Sequence, residues 1–245
     1  MKQGKYIIKE NKNIATNIWR MVLAGDTSAV TSAGQFINIK LDGHFLRRPI
    51  SVNDVSSDAI TIIYKVLGRG TEEMTHLEVG AELDILTGLG NGYSLAEAGD
   101  APILIGGGVG IPPLYNLAKR LLLENPSRKV KVVLGFNTKD EMFYEDEFKS
   151  LGCEVIIATA DGSYGMKGLV TDAISELDYS YFYTCGPEPM LKALHKATKT
   201  DGQMSFEERM GCGFGACMGC SCKTITGYKR ICKDGPVLRK GEVLW

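Results

Sequence analysis

Five of the chain's seven cysteines lie between Cys212 and Cys232, in a stretch too rich in glycine to build a core of its own. Gly211 to Gly219 holds four glycines and two cysteines in nine positions, so something other than side-chain burial must organise it. A disulfide framework is a poor fit. The cysteine count is odd, and the start, Met1 to Asn13, carries four lysines and no apolar segment of the kind a secretory leader needs. Metal ligation fits better. Cys212-x4-Cys217-x2-Cys220, followed after eleven residues by Cys232, is the spacing of plant-type [2Fe–2S] ligation. Gly211, Gly213, Gly215, Ala216 and Gly219 leave room around the sulfurs and supply N–H groups that can bond to them. A structural zinc site is the alternative, but it usually pairs two C-x2-C knuckles. Only one is present here, and the x4 interval does not match. Cys222 is surplus to a four-thiolate cluster, and the register makes it the bystander.

The rest of the chain falls into two rhythms. Up to about residue 98, short runs rich in β-branched and aromatic residues recur between turn signals: Lys5–Lys9, Ile18–Leu23, Gln35–Leu41, Ile50–Asn53, Ala59–Val66 and Glu82–Leu86. Six such strands predict a small antiparallel barrel, with one short helix at Thr71–Leu77. From Ala101 strands alternate with helices: Pro102–Gly106, Pro112–Leu123, Val130–Phe136, Tyr144–Leu151, Glu154–Thr159, Leu169–Glu176, Tyr181–Cys185 and Pro187–Ala197. That order predicts a parallel sheet covered on both faces. The expected units are therefore a barrel over 1–98, an α/β domain over 99–204 and a cysteine-bearing domain over 205–245. With 44% hydrophobic and 23% charged residues the chain is an ordinary folded protein, and its net charge of −1 argues against nucleic-acid binding through bulk charge. No uninterrupted apolar run of about 18 residues is present to cross a membrane. The expected location is the cytoplasm.

Strand Pro102–Ile105 runs into Gly106-Gly107-Gly108-Val109-Gly110-Ile111-Pro112-Pro113, which opens a helix. Glycines there let backbone approach a phosphate at a helix N-terminus. The G-x-G-x-x-G fingerprint fails in both registers, ending at Ile111 or at Pro113, so an ordinary Rossmann loop is excluded and a plain tight turn is the competing reading. Thr184-Cys185-Gly186-Pro187 lies at the carboxyl end of another parallel strand, the edge where open α/β sheets bind ligands. After the second parallel strand, Gly135 to Asp140 contains no arginine to meet a 2′-phosphate and no acidic residue that clearly marks a ribose hydroxyl; NAD is favoured over NADP, with Lys139 as the one side chain that could serve a 2′-phosphate. His44, His76 and His195 are scattered without metal-ligand spacing and are taken as non-catalytic.

These segments together resemble the ferredoxin–NADP reductase superfamily over the first 200 residues or so. Arg48-Pro49-Ile50-Ser51 resembles its flavin-binding motif, and Ile63-Tyr64-Lys65 and Gly70-Thr71 its second flavin segments. Gly106, Gly107, Gly108 and Gly110, with Cys185-Gly186, resemble its nicotinamide segments. The whole chain is similar to the electron-transfer subunits of class 1B dihydroorotate dehydrogenases. The most specific pieces are Glu208-Arg209-Met210-x-Cys212-Gly213-x-Gly215-Ala216-Cys217 and Cys232-x-Asp234-Gly235-Pro236-Val237. The short interval before Cys232 departs from that pattern and implies a trimmed hairpin.

The resemblance implies FAD on the barrel, NAD on the α/β domain and a [2Fe–2S] cluster on Cys212, Cys217, Cys220 and Cys232. It implies no catalytic side chains beyond the cofactors, and a separate FMN-containing, dihydroorotate-oxidising catalytic subunit, two of each chain forming a heterotetramer that serves pyrimidine biosynthesis. Arg48 has the planar fork to clamp a diphosphate, whereas Arg47 reads as a solvated charge. Tyr64 lies either against the flavin or in the core. Barrel, nucleotide domain and tail account for the chain and leave no substrate pocket of the usual kind. Two other readings stay open: a reductase subunit of another complex, such as a soluble hydrogenase or a ferredoxin-dependent oxidoreductase, and a non-catalytic docking protein with a zinc tail.

Overall fold

The computed structural model describes residues 1–245. Six strands close into an antiparallel barrel: β1 (Lys2–Ala15), β2 (Ile18–Ala24), β3 (Phe36–Ile39), β4 (Arg48–Val55), β5 (Ala59–Lys65) and β6 (Glu82–Leu89), in the order β1-β2-β5-β4-β3-β6. Closure leaves no unpaired strand edge. Inward side chains such as Ile8, Met21, Ile37, Ile39, Val52, Ile60 and Ile62 fill it completely. β1 is far longer than Lys5–Lys9. The polar run Glu10 to Asn13 conceals its second half, which pairs with β2 while the first half pairs with β6. Helix α1 (Arg69–Thr75) bridges β5 and β6, starting two residues before the expected Thr71.

The second layer is a seven-stranded sheet. It comprises β7 (Ile103–Gly107), β8 (Lys131–Phe136), β9 (Glu154–Thr159), β10 (Met166–Lys167), β11 (Phe182–Cys185) and β12 (Gly202–Ser205), all parallel. Its order is β10-β9-β8-β7-β11-β12, and one antiparallel strand from the tail completes it. Helices α2 (Ile111–Glu124), α3 (Glu145–Ser150), α4 (Val170–Ala173) and α5 (Glu188–Ala197) connect the strands. Pro112 and Pro113 sit in the first turn of α2, where missing N–H groups cost no helical bond.

The tail forms a hairpin, β13 (Ser221–Thr224) with β14 (Gly227–Arg230), inside the short interval before Cys232. It then returns as β15 (Val237–Arg239), antiparallel to β12. It is therefore woven into the sheet rather than appended to it, and β12 runs one residue past the expected boundary at 204. On its other side the tail packs Cys220, Ile231, Cys232 and Leu238 against Phe36, Leu86 and Leu89 of the barrel. Asn91 clips it there: its N–H donates to Gly235 O at 2.7 Å and its amide exchanges bonds with Val237 at 2.7 and 3.1 Å.

Strand β4 ties the barrel to the sheet. Beyond Ser51 it offers Asn53, which donates to the Tyr144 hydroxyl at 2.7 Å, and Asp54, which pairs with Lys119 of α2 at 2.7 Å. The barrel residues Ile18 and Ile63 belong to the same apolar cluster as Leu114 and Phe148. Barrel and sheet thus share one core across their junction.

Candidate functional site

Two adjoining cavities open where barrel, sheet and tail meet. The barrel-side cavity, about 280 Å³, is lined by Arg48, Pro49, Ile50 and Ser51 of β4, by Ile63, Tyr64 and Lys65 of β5, and by Thr71 of α1. Eight of the nine residues expected to hold a flavin therefore converge from three elements far apart in sequence. The ninth, Gly70, is pressed against the Arg48 guanidinium: a Cβ at Gly70 would stand 2.2 Å from Nε. That contact holds the fork over the start of α1. Arg48 also donates to Leu46 O at 2.6 Å and to His44 Nδ1 at 2.7 Å. Tyr64 proves to be core, 1% exposed, with its hydroxyl donating to Asn11 at 2.9 Å.

Arg47 is not the solvated charge its sequence context implies. It pairs with Asp84 at 2.7 Å and donates to the carbonyls of Asp84 and Asn38 at 2.9 and 3.3 Å. It pins β4 to β6 and β3, and Asp84, 37 residues downstream, is invisible to a local reading.

The sheet-side cavity, about 570 Å³, lies at the carboxyl ends of β7, β8 and β11, lined by Gly107, Gly108, Gly110 and Gly186 among others. Gly108 has φ +51°, and Gly110 touches the Cys185–Gly186 backbone so closely that a Cβ would lie 2.2 Å from Cys185 O. Gly106 sits beneath the loop, under Ile111 and Leu114, and serves packing. Cys185 faces the barrel-side cavity instead. Burial, with Glu207 nearby, pushes its thiol up to about 12, so it is a neutral small residue at the junction. Lys65, Leu67, Val109 and Glu207 line both cavities. A ligand in one therefore abuts a ligand in the other.

The four cysteines of the x4, x2 register form two pairs. The Cys212 N–H donates to Cys217 Sγ at 3.4 Å and the Cys217 N–H returns the bond to Cys212 Sγ at 3.4 Å. The Cys232 N–H donates to Cys220 Sγ at 3.4 Å. Further donors are Ala216 to Cys212 at 3.2 Å and Gly219 to Cys217 at 3.5 Å. Burial works to raise the Cys212 thiol, but the N–H groups of Cys217, Phe214 and Ala216 outweigh it and bring it down to about 6. Burial and contact with Cys220 push Cys232 up to about 12. Adjacent pairs suit a binuclear cluster, which takes two thiolates per iron. Cys222, on β13, packs partly buried against the Phe36–Leu86 cluster instead.

The cluster loop is bound to the barrel by a residue the sequence did not single out. Asn38, 1% exposed, lies opposite Pro49 in the β3–β4 register and donates to Cys212 O at 3.3 Å. Gly213 makes room for it, since a Cβ there would stand 2.4 Å from Asn38 Nδ2. The flavin-motif strand and the first cysteine are thus one hydrogen bond and one strand pairing apart. Met210, two residues before Cys212, lines the barrel-side cavity.

Comparison with known proteins is consistent with this geometry. A family model described as the iron-sulfur cluster binding domain of dihydroorotate dehydrogenase B matches residues 207–244, and one described as an oxidoreductase NAD-binding domain matches 104–196. The electron transfer subunit of dihydroorotate dehydrogenase B (NAD(+)) from Fusobacterium nucleatum is 44% identical, with 99% of each chain covered. The chain belongs to that family. The Shouchella clausii subunit of the same name is 45% identical over 99% of this chain and 98% of its own. Among solved structures, a chain from an NADH-dependent reduced ferredoxin-NADP oxidoreductase, studied for flavin-based electron bifurcation, superposes with a TM-score of 0.88 at 30% identity. It covers 98% of this chain and 90% of that one.

Besides Asn38, three residues of the site carry no local signal in the sequence. Glu207, at the mouth shared by both cavities, has its pKa raised by desolvation. It sits just past β12, a strand the sequence barely signals. Glu141 lines the sheet-side cavity, accepts from Asn137 Nδ2 at 2.8 Å and faces Lys65 at 3.5 Å. It is the acidic side chain after the second parallel strand that lines the cavity, one residue beyond Asp140, which does not. His44, expected to be non-catalytic, holds Arg48. His195 meets Lys240 O at 3.2 Å, and neither it nor His76 lines either cavity.

Proposed function

We propose that this chain carries electrons from dihydroorotate oxidation to NAD+, taking them in through a [2Fe–2S] cluster on Cys212, Cys217, Cys220 and Cys232 and delivering them through FAD in the barrel-side cavity. The observation that carries the reading is the Asn38 bridge, which fixes the first cysteine of the cluster loop to the strand pair bearing Arg48–Ser51. Short, fixed separations are what an electron relay needs from its protein, because the cofactors hold the chemistry. When bound, the flavin exchanges a hydride with nicotinamide and single electrons with the cluster. The chain's own residues bind and orient. The Arg48 fork meets the diphosphate, Ser51 offers a hydroxyl to the flavin ring, and the Gly107–Gly110 backbone leaves space for nicotinamide dinucleotide beside it. The loop N–H groups aimed at the cysteine sulfurs hold the cluster's charge.

Relatives that share the whole chain are electron transfer subunits, so a catalytic partner belongs to this reading. We take the partner to be an FMN-containing, dihydroorotate-oxidising chain, two of each forming a cytoplasmic heterotetramer in pyrimidine biosynthesis. No helix here is long and apolar enough to cross a membrane. Met210 is half-buried, whereas Phe214 and Met218 beside the ligands remain 43% and 54% exposed. Their exposure makes them the proposed docking face. With Phe214→Glu, NADH–dye activity is expected to persist while dihydroorotate-dependent NAD+ reduction in the reconstituted complex falls about tenfold or more. Wild-type values for both activities would move the docking face elsewhere.

NADH is expected to exceed NADPH in kcat/KM by about tenfold or more, because a 2′-phosphate in the sheet-side cavity would meet the Glu141 carboxylate, and Lys65, the one cation lining that cavity, is already paired with it. Comparable values in a dye-reduction assay would remove this preference. A subunit of a ferredoxin-dependent oxidoreductase shares the fold at 30% identity, against 44% and 45% for the dihydroorotate dehydrogenase relatives. Reconstitution with a dihydroorotate-oxidising partner separates the two readings.

A further inference from the structure

His44, in the loop between β3 and β4, lies between two charged residues from different elements. Its Nδ1 is 2.7 Å from Arg48 Nη2, and its Nε2 is 2.7 Å from Glu73 Oε2 on α1. A guanidinium has donors only, so Nδ1 must be the acceptor and the ring proton must sit on Nε2, donated to Glu73. Glu73 is in turn held by Arg69 Nε at 3.0 Å. His44 and Leu46 O thus occupy two of the five N–H groups of the Arg48 fork. The remaining three, with the fork pressed on Gly70, are free for a ligand at the mouth of the barrel-side cavity.

We propose that neutral His44 is a positioning residue that sets the Arg48 fork for the flavin diphosphate, and that flavin retention is acid-sensitive through this ring. The inference rests on the assignment of Arg48 to the diphosphate. Protonation of Nδ1 would turn an acceptor into a donor facing the guanidinium and set two cations side by side, freeing the fork to swing. The charged groups facing the ring are Arg48 from β4 and Glu73 from α1, the latter shared with Arg69. Glu73 keeps its pKa low chiefly through His44 and then Arg69, so it stays the acceptor of the Nε2 proton.

The test uses purified holoprotein, diluted and ultrafiltered from about pH 8 to about pH 5.5, with released FAD read by fluorescence in the filtrate. Wild type is expected to hold flavin at the upper end and release it as the pH falls. His44→Ala should release FAD roughly tenfold more readily than wild type near pH 8, the loss of one charge-assisted hydrogen bond, and should show no acid step of its own. His44→Asn places an amide oxygen where Nδ1 stood, so it should hold FAD within about threefold of wild type near pH 8 and lose the acid step. A merely structural histidine would not transfer its effect to asparagine in this way. The inference is overturned if His44→Ala releases no more FAD than wild type near pH 8, or if His44→Asn keeps the same acid step. Should His44→Ala fail to fold, the pH profiles of wild type and His44→Asn decide the matter. Arg48→Gln separates the two levels. If it retains FAD like wild type, the assignment of Arg48 to the diphosphate fails. If it loses FAD while His44→Ala does not, only the role of His44 fails.

Discussion

Replacing Cys217 by Ser is expected to abolish the iron–sulfur spectrum and leave FAD bound. Cys217 is exposed, and its sulfur is held by two N–H groups, from Cys212 at 3.4 Å and Gly219 at 3.5 Å. A serine hydroxyl is a harder and far less acidic ligand, so one of four cluster bonds is lost. The flavin-binding segments stand on a barrel filled by its own core of 15 buried residues, and Cys217, which is exposed, is not one of them. NADH–dye turnover should therefore stay within about threefold of wild type, while dihydroorotate-driven NAD+ reduction falls about 100-fold or more. Iron and sulfide content with the visible spectrum reads the first result, and activity with the partner reads the second. A full cluster spectrum in the variant would void the ligand assignment. Cys222→Ser supplies the contrast. Cys220 is 2% exposed and accepts the Cys232 N–H, whereas Cys222 packs against the barrel face. The cluster should survive that change, and its loss would exchange Cys222 with Cys220.

The residues that announce themselves in the sequence do so through local chemistry. In Ile18–Ala24 and Ala59–Lys65 buried and half-buried side chains partly alternate because one face fills the barrel. The cysteine spacing and the loop glycines are legible because few other chemistries need them together. What escaped depends on partners distant in sequence. β12 has Met204 as its single large apolar residue, and it is held by Gln203, which exchanges bonds with Ser94 at 2.8 and 3.0 Å. Its neighbour β15 comes from the cysteine-bearing tail, which follows neither of the two rhythms. Asn38 is an ordinary polar residue until the fold buries it beside Cys212. Arg47 and His44 acquire their roles from Asp84 and Glu73, 37 and 29 residues away. Electrostatic partners carry no periodicity, so a single sequence does not display them.

The glycines of the nucleotide loop are unequal, and Gly110→Ala is expected to be the damaging change. The backbone at Gly110 is helical, with φ −77° and ψ −12°, so alanine meets no conformational objection there. The objection is steric. A Cβ would lie 2.2 Å from Cys185 O, 2.3 Å from Cys185 C and 2.5 Å from Gly186 N, all backbone atoms of a buried parallel strand and its turn. Relief requires α2 to move away from β11, and α2 is anchored through Leu114, Leu117 and Leu121 in the core and through Lys119 to Asp54. The cost should be about 3 kcal/mol or more, which for a chain of this size lowers the melting temperature by roughly 6–12 °C. The same shift opens the start of α2 against the sheet-side cavity, so the KM for NADH should rise as well. Gly107→Ala and Gly186→Ala are the controls. Their closest contacts are Met190 Sδ at 2.6 Å and Met190 Cε at 2.4 Å, the far end of a flexible side chain that can turn aside. Each should cost about 1 kcal/mol or less. Thermal melts of the three variants, followed by NADH titration in the dye assay, give the ranking. Equal melting temperatures for all three would mean that the α2–β11 contact is not the close backbone packing described above.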